Sequence, residues 1–168
     1  MPNPAISRED VHTLAEACSD AGDDFRPVAT RLLREQKPLT NFLQENMPVM
    51  KGNSGEVALY MFAVILRIFD QYGGRMGKVT RAEARASAQR VKAAVDQLRP
   101  FDDSLPERVR AIDWRAQPHI LDEVLWALYE REEKQENEID VPPEQSALVF
   151  LLMWAAVEAL DARWRPPR

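Results

Sequence analysis

Two stretches of the chain, residues 57–66 and 147–157, are apolar at almost every position. Such a run shows neither the 3.6-residue period of an amphipathic helix nor the alternation of a half-buried strand. The first continues as Arg67-Ile68-Phe69-Asp70-Gln71-Tyr72, and the total length suits a helix over 56–72. The second follows Pro142-Pro143 and predicts a helix over 144–164. A helix that is apolar all round is a buried helix, so both belong at the centre of the fold.

Amphipathic segments supply the rest. Ser7 with Asp10 opens a helix to Asp20 with Val11, Leu14, Ala15 and Cys18 on one face. Gly22 ends it, and Asp23 or Asp24 caps a second helix to Gln36, where Val28, Leu32 and Leu33 point inward. A short helix after Pro38 carries Leu39, Phe42 and Leu43. Ser54 is the expected cap of the first apolar helix, and Gly73-Gly74 is its stop. Thr80 with Glu83 forms a capping box for a helix to Arg99, with Ala84, Ala88, Val91, Val95 and Leu98 in one stripe. A short helix is expected over 106–112. Another runs over 118–134, turning Ile120, Leu121, Val124, Leu125 and Leu128 inward. Residues 165–168 read as a frayed tail. The sum is an all-α compact bundle of six to eight helices, expected to form one domain over 1–168 with two central apolar helices.

Two central helices pose a choice, because a bundle of this size usually encloses one completely. Either they pack side by side, or one keeps an apolar face for a protein partner or a second copy. Exposing on the order of a few hundred Å² would forgo several kcal/mol at about 25 cal/mol per Å². Charges close each run: Arg67 and Asp70 on the first, Glu158 and Asp161 on the second. An unpaired buried charge costs several kcal/mol. These four are therefore solvated at helix ends, or Arg67 pairs with Glu158 or Asp161 and the group lines a polar pocket between the helices.

Composition leaves this picture intact and narrows the chemistry. The 168 residues carry a formal net charge of −5, so a general affinity for nucleic acid is disfavoured. One cysteine excludes an internal disulfide and any cysteine-rich zinc site, and Cys18 falls on the core face of its helix. Met1-Pro2-Asn3-Pro4 lacks the regions of a signal peptide, and neither apolar run reaches the roughly 20 residues needed to cross a bilayer. The expectation is a soluble, cytoplasmic protein.

Motifs with chemical meaning are weak. Glu9-x-x-His12 matches one step of a carboxylate-bridged di-iron bundle, where the step must occur twice. His119 with Asp122 and Glu123 places an imidazole and two carboxylates on one turn, as an acid-rich helix N-terminus also would. The segment 73–80 has the glycines and lysine of a phosphate loop, but its spacing is short and Val79 follows the lysine. No metal and no cofactor is expected.

The basic stripe is the stronger signal. Between residues 75 and 99 seven basic side chains face two acidic ones, a local reversal of sign. Arg81, Arg85 and Lys92 share one face, at about 100° per residue, and Arg99 follows. Acidic segments at 9–24 and 130–140 offer counter-charge. This pattern suits a non-enzymatic interaction or regulatory module that recognises a protein through the stripe or through an apolar groove beside the last helix. The opposing expectation is an enzyme or ligand-binding bundle using Arg67, Asp70, Glu158 or Asp161. A third is a weak nucleic-acid binder through Arg81, Arg85 and Lys92, which the lack of stacking aromatics on that helix disfavours.

Overall fold

A computed structural model describes residues 2–47, 50–131 and 141–168. Ser7 caps α1 (Arg8–Ala21), its hydroxyl accepting the Asp10 N–H at 3.1 Å. A 3-10 turn at Gly22–Asp24 leads into α2 (Phe25–Glu35), and α3 (Lys37–Glu45) follows with Pro38 in its first turn. The first apolar run forms α4 (Ser54–Tyr72). Ser54 is not its cap: it is the first helical residue after Asn53, and its buried hydroxyl has no partner.

Gly73 and Gly74 stop α4 at positive φ, 108° and 82°. At Gly74 a Cβ would lie 2.3 Å from the Arg165 carbonyl oxygen, so only glycine lets the chain approach this closely. That approach allows β1 (Arg75–Met76) to pair antiparallel with β2 (Trp164–Arg165). The tail expected to fray from Arg165 is thus held as far as that residue, and Pro167 packs against Gly73.

The Thr80–Glu83 capping box opens α5 (Arg81–Ala93) as expected. The helix breaks at Ala94, whose N–H turns to the Val91 carbonyl three residues back, and α6 (Val95–Leu98) is a separate turn. After α7 (Leu105–Arg110), Gln117 adopts a left-handed conformation and starts α8 (Pro118–Leu125). At its end the helix widens into a π-turn, Trp126–Glu130, closed by the Arg131 N–H to the Trp126 carbonyl at 2.8 Å. The expected continuation to Lys134 lies outside the described residues.

The second apolar run forms α9 (Pro143–Arg163), packed against α4, α5 and α8. Phe150, Met153, Trp154, Val157 and Leu160 are fully enclosed. At 21 residues α9 is long and apolar enough to cross a bilayer, yet 72% of its most apolar window is buried inside the fold. The two apolar helices do pack side by side. The symmetry between them ends there, because α4 lies against α1 and α2 on its other flanks and keeps Tyr60 48% exposed.

Candidate functional site

The four charged side chains near the ends of the apolar runs do not converge. Arg67 bonds Asp70 one turn along α4 at 3.0 Å, and Asp70 also meets Arg31 at 3.4 Å, on a solvated face. The expected pair between Arg67 and Glu158 or Asp161 is not formed. Both α9 carboxylates are buried and hold backbone in place. Glu158 accepts the Ala116 N–H at 2.6 Å and the Trp154 indole N–H at 3.3 Å, and it ion-pairs with Arg90. Asp161 accepts from the Asn3 N–H at 3.0 Å and from Gln117 Nε2 at 2.9 Å. Gln117 in turn accepts the Ile6 N–H at 3.0 Å and donates to the Pro4 carbonyl at 3.1 Å. This network fastens the N-terminal segment and the 111–117 connection onto α9. Both carboxylates therefore have their acceptor capacity taken up by this network.

The basic stripe is partly used up inside the fold. Arg81 ion-pairs with Glu45 of α3, and Arg99 meets Asp96 at 3.5 Å and the Phe101 ring at 5.3 Å. Arg85 and Lys92 stay exposed and have no acid within ion-pair distance among the described residues. Arg90, on a different face of α5, is the basic residue that reaches the core carboxylate.

Sequence reasoning missed a groove of about 630 Å³ bounded by α1, α4, α8 and the π-turn. Val57, Tyr60, Met61, Val64, Ile65 and Ile68 of α4 form its floor. Ala15 and Ser19 stand on one wall, and Val124, Trp126, Ala127 and Leu128 on the other. It runs along α4 and not beside α9, where a groove was expected.

Glu123 is the buried polar residue in its lining. It accepts from Arg8 at 2.5 Å and lies 3.0 Å from His12 Nδ1. His12 Nε2 lies 3.1 Å from Glu16, and its ring stands edge-on to Trp126 at a centroid distance of 5.2 Å. These contacts lock α1 to α8 and fix the groove's width. They also point the two imidazole nitrogens at different carboxylates, so the His12 motif does not gather ligands about one point. His119 lies 3.6 Å from Asp122. Among the described residues no three His, Cys, Asp or Glu side chains are placed to hold a metal ion. Cys18 sits in a small cluster with Phe25 and Ala63, and burial pushes its thiol pKa up, which suppresses the reactive thiolate.

One signal in the sequence could have located the groove. Positions 57, 60, 61 and 64 repeat at helical spacing within the uniform apolar run, beside the face that carries Phe62, Ile65 and Phe69 into the core. No family model, curated protein or solved structure matches the chain.

Proposed function

We propose that the protein is a non-enzymatic interaction module that holds a helix of a partner protein in the α1–α4–α8 groove. The observation that carries this reading is the apolar surface of α4 left accessible in the groove: Tyr60 is 48% exposed and Val57, Met61 and Val64 are half-buried, while Ile65 and Ile68 are buried. Contiguous uncovered apolar surface of this kind marks a contact site in a soluble protein. A groove floored by one helix and walled by two others accepts a third helix laid along it. A small ligand would need several converging polar groups to fix its orientation, and Glu123 is already satisfied by Arg8 and His12.

The energetics are consistent with a reversible contact. Covering Val57, Tyr60, Met61 and Val64 recovers about 1–2 kcal/mol each, with a similar gain on the partner. Association costs offset at least about 4 kcal/mol of this, which leaves an affinity in the micromolar range. The enzyme reading depended on Arg67, Asp70, Glu158 and Asp161 meeting. The nucleic-acid reading depended on a stripe of which Arg81 is now committed to Glu45.

Photo-cross-linking in the native host separates the two candidate faces. A photoreactive residue at Tyr60 is expected to trap a discrete protein adduct, whereas one at Gln89, exposed on α5, traps none. Adducts arising only from position 89 would refute the groove and favour the α5 face.

A further inference from the structure

The charge around the groove specifies the chemistry of its occupant, an argument that rests on the groove reading above. On α1, Glu9, Glu16 and Asp20 project within about 40° of one another, and all three are exposed. Glu16 of this row lines the groove together with Ala15 and Ser19. Glu56, in the first turn of α4, lines the same groove. Asp23 and Asp24 precede Phe25, whose ring meets Tyr60 at a centroid distance of 6.0 Å. Glu16 is paired with His12, but Glu9, Asp20, Asp23, Asp24 and Glu56 have no cation within ion-pair distance among the described residues. Arg131 stands on the far wall, over the Trp126 ring.

We infer that the partner helix is amphipathic and basic. Val57, Tyr60, Met61 and Val64 form an accessible stripe about 10 Å long, at 1.5 Å per residue. That length matches apolar anchors at i, i+3, i+4 and i+7 of an incoming helix. Lysine or arginine beside those anchors meets Glu16 of the α1 row and Glu56, both of which line the groove. Among the described residues, the basic helices of a second copy do not supply such a helix, because α5 buries its stripe of Ala84, Ser87 and Val91 and α2 buries Phe25 and Leu32.

The test uses the intact chain and synthetic fluorescein-labelled helices of about 18 residues with leucine at the four anchor positions. Flanking positions are all lysine in one peptide and all glutamate in the other. A third peptide keeps the lysines and scrambles the leucines. Fluorescence anisotropy in about 50 mM salt is expected to show micromolar binding of the lysine helix and binding of the glutamate helix weaker by about tenfold. The gap closes in about 500 mM salt, where screening is strong. Asp20→Lys combined with Glu56→Lys, two exposed positions without an ion-pair partner among the described residues, shrinks or inverts the preference while moving the melting temperature by no more than a few degrees. Equal binding of the two helices overturns the basic partner and leaves the groove reading standing. Failure of both to bind overturns the groove reading itself. Equal binding of the scrambled peptide overturns both, because attraction to an acidic chain would then suffice.

Discussion

Replacing Glu158 by alanine tests whether the α9 carboxylates organise the bundle. The side chain is 3% exposed and accepts from the Ala116 N–H, the Trp154 indole N–H and Arg90. Truncation leaves two buried donors without acceptors, at about 1–3 kcal/mol each. Arg90 is 60% exposed and returns to water, so its share is about 0–1 kcal/mol. The sum is about 2–7 kcal/mol, centred near 4, a large part of the 5–15 kcal/mol typical of a domain. At about 2–4 °C per kcal/mol for a chain of this size, the melting temperature falls by roughly 10 °C. Glu158→Gln keeps an acceptor oxygen in place and loses about 1–2 kcal/mol, while Arg90→Ala loses about 1 kcal/mol. Urea unfolding followed by far-UV circular dichroism measures all three. The reasoning fails if Glu158→Ala costs no more than Arg90→Ala, because the backbone and indole donors would then count for nothing.

Gly74→Ala should destabilise at least about twice as much as Gly22→Ala in the same assay. Both glycines have positive φ, but a Cβ at Gly74 meets the Arg165 carbonyl at 2.3 Å and one at Gly22 meets nothing within 4 Å. Equal losses would mean that the β1–β2 ladder does not constrain the tail. Arg163 and the Thr80 N–H hold the Glu83 carboxyl at a pKa of about 2, against an ordinary 4.5. Its contribution is therefore complete above 4.5 and is lost as pH falls through about 2. Glu83→Gln should flatten that acid limb of the melting temperature, and an unchanged limb would remove Glu83 from its cause. Light scattering at micromolar concentration should give the monomer mass of 19.2 kDa. A dimer would show that a second copy covers an apolar face after all.

How much of this was legible beforehand follows from the range of the forces involved. Helix caps and glycine stops act within a few residues, and Ser7, the Thr80–Glu83 box and Gly73-Gly74 stand where the pattern puts them. Ser54 misled because Asn53 took the cap position, although both residue types suit it. The π-turn after Leu125 and the left-handed Gln117 depend on distant contacts. Gln117 is held by Ile6, Pro4 and Asp161, between 44 and 113 residues away in sequence. Side-chain pairing was the least readable. Arg67 chose the neighbour one turn away over a partner on another helix, and Arg90 rather than Arg67 reached Glu158. Nothing in the spacing of charges distinguishes those outcomes, because long side chains on adjacent helices can each reach several partners.

The two apolar helices differ in function because their neighbours differ in length. α9 is crossed by the N-terminal segment and by the 111–117 connection, and its buried carboxylates accept the N–H groups that such irregular chain would otherwise leave unmade. Polar groups on α9 therefore serve assembly, and replacing them costs stability. α4 has no buried carboxylate and meets complete helices on each flank, so its backbone partners need no such help. α8, however, provides only eight residues of α-helix before the π-turn redirects it. A wall that turns away this early leaves Tyr60 exposed and Met61 half-buried, while Arg8, His12 and Glu123 tie α8 to α1 before the turn. The groove thus opens beside a hydrogen-bonded contact that holds its walls in place. Filling it from within, by Ala127→Leu, should reduce peptide affinity by at least about tenfold while raising stability by up to about 1 kcal/mol. Unchanged affinity in anisotropy titrations would place the binding surface elsewhere on the molecule.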